Sequence, residues 1–166
     1  MKQTEKQNKP GVFARVFAGI NERRLKKLSA WLENGDDNIP LKLIGKIDAR
    51  KAMLAILNSY MANQNPKHIQ AAIGLGDEGV KELRKICREK HGAVRAFAIN
   101  LLGHIGTPED FRFLNELYFL DKNKVVKVQA LASLQTLIER FPEAEEIETS
   151  REMVMDSIAR QSKSSE

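Results

Sequence analysis

The amino-acid sequence predicts an all-α fold, a right-handed α–α superhelix of short stacked hairpins, on three observations. Residues 71–86, AAIGLGDEGVKELRKI, run through an apolar stretch, a glycine turn, an acidic cap and a second amphipathic stretch, and the same order returns over residues 98–117 as AINLLGHIGTPEDFRFLNEL. Laying residues 94–106 over 126–138 places Val94 on Val126, Arg95 on Lys127, Ala98 on Ala130 and Leu102 on Leu134, an offset of 32 residues. The second helices follow at an offset of 31, with Leu83 on Leu114, Ile86 on Leu117 and Lys81 on Arg112. Helix-opening signals also recur, at Asn65 with Pro66, at Asp77, and at Thr107 with Pro108, Glu109 and Asp110. There a side-chain oxygen satisfies orphan amides, proline fits the first helical position and carboxylates complement the helix dipole. One such hairpin cannot bury both of its apolar faces, whereas stacked neighbours can, with small residues such as Ala98 and Ala130 where helices approach.

The elements follow in order. Residues 1–10, MKQTEKQNKP, are polar and without apolar period, and read as a flexible basic tail ending at Pro10. Phe13, Val16, Phe17 and Ile20 share one helical face, after which Asn21 caps a second helix with Leu25, Leu28 and Leu32 turned inward and Asn34 and Gly35 at its end. The stretch around Pro40 reads as a loop whose Leu41, Leu43, Ile44 and Ile47 pack down on the core. Asp48 caps a helix whose stripe is Ala52, Met53, Ile56, Leu57, Tyr60 and Met61. The last helix opens on a capping box, Thr149 with Glu152 three residues on, before Met155 and Ile158. The expected organisation is a tail over 1–10, an N-terminal helical cap over 11–64, repeat helices over 65–162 and a disordered end over 163–166.

Composition sets the outer bounds. With 166 residues and 42% hydrophobic content the chain fills one core without disulfides or metal. A lone cysteine, Cys87, and an early apolar stretch interrupted by Arg15 point to a cytoplasmic protein without a secretory leader. No run reaches the roughly 18 apolar residues of a membrane span. The net charge of +5 is uneven: residues 1–90 hold 18 Lys/Arg against 10 Asp/Glu, and residues 91–166 hold 9 against 12. That polarity steers the first half toward acidic partners.

The segment VRAFAINLLGHIGTPEDFRFLNELYFLDKNKVVKVQALASL, residues 94–134, resembles the short HEAT-like repeats of phycobilin lyase proteins. The resemblance rests on Val94 and Arg95 opening a helix, Leu102 to Gly106 closing it, the turn of Thr107 to Asp110, and Asp121 before Val126 and Lys127. It covers about residues 65–141. Lys127 stands where the pattern has arginine, Gln135 and Ile138 where it has glycines, and the N-terminal third lies outside the period. The resemblance implies an α-solenoid, a fold that serves scaffolds, nucleic-acid binders and a few enzymes.

No catalytic, cofactor or metal constellation emerges. His68, His91, His104 and Cys87 lack the short ligand spacings of a zinc site. Cys87 continues the inward stripe Val80, Leu83, Ile86, and His104 reads as a satisfied helix-end histidine. The glycines of GLGDEG follow a helix rather than the strand a dinucleotide loop needs. Asp36 with Asp37 and Glu145 with Glu146 read as solvated charge. Arg95 and Lys127 fit either a ligand ladder or pairing with an acidic residue of the adjacent turn, and stacking of repeats favours the second.

The binding candidates are surface groups. Phe13, Val16, Phe17 and Ile20 suit a capping helix, a partner-binding helix or an interfacial membrane anchor, in that order. RRLKK (23–27) and the off-stripe Lys81, Arg84, Lys85 and Arg88, with Arg112, are the groups suited to an acidic partner. Phe97 aligns with Gln129 and Phe119 with Arg88, which turns both aromatics outward as contacts for a protein. The reading is a non-catalytic adaptor binding a protein. Nucleic-acid binding through the basic half is the alternative, and a repeat-based enzyme or chaperone of bilin lyase type the third.

Overall fold

The computed structural model describes the backbone of residues 12–34 and 40–163, and side chains from residue 21 onward apart from 146, 149, 150, 153, 158 and 161–163. It is all-helical, with nine helices and no strand among the described residues. They are α1 (Val12–Asn34), α2 (Leu41–Ile44), α3 (Ala49–Asn63), α4 (Pro66–Ile73), α5 (Gly76–Glu89), α6 (Gly92–Ile105), α7 (Asp110–Leu120), α8 (Lys124–Arg140) and α9 (Glu145–Lys163). None of them is long and apolar enough to cross a membrane.

Local chemistry sets several of the boundaries. Asp48 accepts from the Lys51 amide and Asn65 from the Lys67 amide, with Pro66 at the first helical position. Asn123, which sequence reasoning passed over, caps α8 through the Val125 amide. Other boundaries move. Asn21 does not open a helix: α1 runs through it unbroken to Asn34, because nothing in that stretch forces a break. Asp77 lies inside the first turn of α5, which begins at Gly76; φ there is +59°, a conformation glycine adopts without Cβ strain. Thr149 lies within α9, which starts at Glu145. The turn before α7 keeps half of a capping box, with the Asp110 carboxylate accepting the Thr107 amide at 2.9 Å.

Packing follows chain order. α3 lies against α1, α4, α5 and α6; α6 against α5 and α8; α8 against α7 and α9. One apolar core extends from Leu28 and Leu32 of α1 to Ile147 and Val154 of α9. The aligned pairs Ala98 and Ala130, Leu102 and Leu134, and Leu83 and Leu114 are all buried. Leu41 does not pack down with its neighbours Ile44 and Ile47; as the first residue of α2 it faces solvent. α6 and α8 approach closely at Gly103, where a Cβ would sit 2.7 Å from the Cα of Ser133. The Ser133 hydroxyl binds the Ile99 carbonyl across the same contact, at 2.8 Å.

His68 is fully buried between α3 and α4. Its Nδ1 lies 2.8 Å from the Asn65 carbonyl, which can only accept, so Nδ1 carries the proton and Nε2 accepts from the Ser59 hydroxyl at 2.8 Å. Burial pushes its pKa below the ordinary 6.5, and burial with Arg140 nearby lowers that of His104. The unfolded chain therefore binds more protons as pH falls past 6.5, and stability declines with falling pH below that value. Urea midpoints measured from about pH 7.5 down to about pH 5.5 should drop, and His68→Gln with His104→Gln should flatten the decline. An equal decline in the double variant would assign it to other groups.

Candidate binding surfaces

The basic residue shared by the two aligned helices is structural at both positions. Arg95 Nε donates to the Cys87 carbonyl at 2.9 Å, and Lys127 Nζ donates to the Phe119 carbonyl at 2.9 Å. Each reaches back eight residues to close the preceding helix, where free carbonyls attract a cation. Arg95 also pairs with Asp121 at 2.8 Å, joining the end of α5 to the turn between α7 and α8. Cys87 is fully buried, and its thiol is pushed up to about 12 by burial, with the Asp110 charge adding to the rise, so it stays a protonated core group.

Arg84 is not part of an exposed basic face. It turns into the α6–α7 turn, with Nε 2.6 Å from Asp110 Oδ1, Nη2 3.0 Å from Asp110 Oδ2, and Nη2 also donating to the Thr107 hydroxyl. Asp110 is only 3% exposed, so this is a bidentate pair largely shielded from water. The bond to Asp110 holds the Arg84 guanidinium above its ordinary pKa. Periodicity placed Arg84 off the stripe, on an exposed basic face, and the turn before α7 covers that side. Around it, Lys81 pairs with Glu78 at 2.9 Å and Lys85 with Glu82 at 2.6 Å, while Arg50 of α3 bridges Glu82 and Glu89. Arg88 remains exposed, lying 4.8 Å over the Phe113 ring, and Arg112 pairs with Glu116 on its own helix. The charge of α5 is thus largely neutralised by carboxylates of its own helix and its neighbours.

Phe97 is half-buried rather than outward-facing. Its ring meets Tyr60 of α3 edge-on with centroids 6.0 Å apart, and the Tyr60 hydroxyl donates to Asn100 Oδ1 at 2.7 Å. It pins α6 to α3 because α3 lies on that face. The side chains of Phe13, Val16, Phe17 and Ile20 lie outside the described residues.

Phe119 does face solvent, and it has company. Phe119, Leu120, Val125 and Val128 are 42%, 77%, 58% and 50% exposed, all within ten residues across the α7–α8 turn. Tyr118, Phe119, Lys124, Lys127 and Val128 line a cleft of about 370 Å³, and the Tyr118 and Phe119 rings stack edge to face at 4.7 Å. No described carboxylate lines it, because Asp121 is taken by Arg95. Leu120, Val125 and Val128 were not singled out from sequence. The signal was present in the 31-residue offset, since Leu120 falls on Glu89 as Phe119 falls on Arg88: apolar side chains occupy positions that are charged and exposed in the aligned segment.

No family model matches the chain, nor does any curated protein or solved structure. The functional reading therefore stands on the geometry above. A third surface lies on α1 and α2, where Arg23, Arg24 and Lys27 meet Lys42 and Lys46.

Proposed function

We propose that the protein is a non-catalytic helical-repeat adaptor, a solenoid of short HEAT-like hairpins that binds a protein partner at the α7–α8 turn. The solenoid is supported by chain-order packing and by the equal duties of Arg95 and Lys127 at the repeat offset. One observation carries the adaptor role: four large apolar side chains gathered at one turn and left in water. Exposed apolar clusters of this kind are characteristic of recognition sites, and aromatic anchors in a desolvated centre supply most of an interface's energy. Lys124 and Lys127 line the cleft beside Phe119 and Val128, so the matching ligand is a segment with apolar anchors flanked by Asp or Glu.

The test is site-specific photocrosslinking in the source cells from position 128, with the exposed position 112 as reference. A discrete heterologous protein adduct at 128 and none at 112 is expected. Phe119→Ser with Val125→Ser, made in the chain that carries the probe at 128, should abolish that adduct while the circular dichroism and melting midpoint stay at wild-type values, both residues being exposed. Adducts only to a second copy of the chain, or none, would overturn the reading.

A further inference from the structure

A cleft of about 450 Å³ between α1 and the α2 turn is lined by Arg23, Arg24, Lys27, Lys42, Leu43 and Lys46. Arg23, Arg24 and Lys27 fall on neighbouring positions of one helical face, and Lys42 and Lys46 recur four residues apart on the opposing segment. Arg24 Nη1 donates to the Lys46 carbonyl at 3.0 Å, which fixes the second wall against the first. Among the described residues no carboxylate pairs with any of the five cations; the nearby Glu22 pairs with Lys26 instead, at 3.8 Å. That contrasts with α5, where Lys81, Arg84 and Lys85 each have an acidic partner within 3.0 Å. Cations crowded without counter-charge repel one another, and a bound anion relieves that repulsion.

We propose that this cleft binds the phosphate backbone of a nucleic acid. Cations stand on both walls, so a strand entering the cleft is contacted from two sides, which a flat bilayer surface is not. A phosphodiester chain brings regularly spaced charges to all five cations together, whereas one or two carboxylates of a peptide leave the others opposed. Arginine forks also suit phosphate oxygens. No described aromatic lines the cleft, so on this proposal the bases are neither stacked nor read and binding is independent of sequence.

The experiment is fluorescence anisotropy of the full chain with labelled duplex and single-stranded oligonucleotides of about 20 nucleotides, from about 50 to about 200 mM salt. With four to five phosphates neutralised, log K should fall against log salt with a slope of about −4, roughly 300-fold over that range. Replacing Arg23, Lys27, Lys42 and Lys46 by Gln should remove most of that slope; all four are exposed, so the fold should persist by circular dichroism. Arg24 is kept because it holds the two walls together. Lys81→Gln with Lys85→Gln should leave the slope unchanged. Absence of binding to either oligonucleotide at low salt would overturn the proposal, as would a quadruple variant that keeps the slope. So would capture by phosphatidylserine vesicles without oligonucleotide binding, which would assign the cleft to a membrane surface. Phe119→Ser with Val125→Ser should bind oligonucleotide as wild type does, so this result is separate from the adaptor test.

Discussion

Arg84→Ala is expected to cost about 3 kcal/mol of stability, at the lower end for a broken buried pair because the arginine retains some access to water. The charge it leaves behind is the reason. Asp110 is nearly inaccessible, it still accepts the Thr107 amide, and no other described cation comes within salt-bridge distance of it. For a domain of this size the midpoint should fall by about 6 to 12 °C. Arg84→Met combined with Asp110→Leu should cost less than Arg84→Met alone, since the pair then leaves no stranded charge, although the Thr107 amide loses its acceptor. Lys81→Ala, at an exposed pair on the same helix, should leave the midpoint where it was. A loss at Arg84 no larger than at Lys81 would show that Asp110 is solvated after all. Calorimetry on the four variants decides it.

Gly103→Val should have an effect of similar size, about 3 kcal/mol, for a steric reason. Its Cβ would lie 2.7 Å from Ser133 Cα and 2.8 Å from Ser133 Cβ. The first is backbone and cannot rotate away, so α6 and α8 must move apart along the contact that holds the centre of the chain. Gly103→Ala meets the same atoms, and the gain of about 1 kcal/mol that alanine brings to a helix interior should not offset the clash. Gly45→Ala is the matched control, since its Cβ would make only an ordinary 3.6 Å contact with the Leu41 carbonyl. It should be neutral or slightly stabilising. Urea unfolding followed by far-UV circular dichroism distinguishes them, and a wild-type midpoint for Gly103→Val would mean the two helices do not approach this closely.

Much of the fold was legible in the sequence. Asp48 and Asn65 cap the helices they were read to cap, and Ala52, Met53, Ile56, Leu57 and Tyr60 form the buried stripe expected of them. The alignment of Arg95 with Lys127 predicted an acidic partner for both; Arg95 has one in Asp121, whereas Lys127 meets the Phe119 carbonyl, and what the two share is closing the helix before them. Cap bonds and apolar stripes act within about four residues, so the residues that make them are neighbours in the text. The errors also have a common form. Arg84 and Phe97 sit at the edge of an apolar stripe, where the helical angle is the same whether the side chain meets water or another helix. Arg84 is covered by the turn before α7, and Phe97 by Tyr60 of α3.

The candidate surfaces were less legible for the same reason. Phe119, Leu120, Val125 and Val128 are ordinary apolar residues until packing leaves them uncovered, and Arg23 and Lys42 are separate charges until the α2 turn sets them across one cleft. The sequence by itself determined most of the helices, the caps at Asp48 and Asn65 and most of the core, because those follow from contacts between residues close along the chain. Only the tertiary structure decided that Arg84 is covered and paired with Asp110 and which apolar groups stay in water, because both depend on what packs against a residue from 20 to 40 positions away.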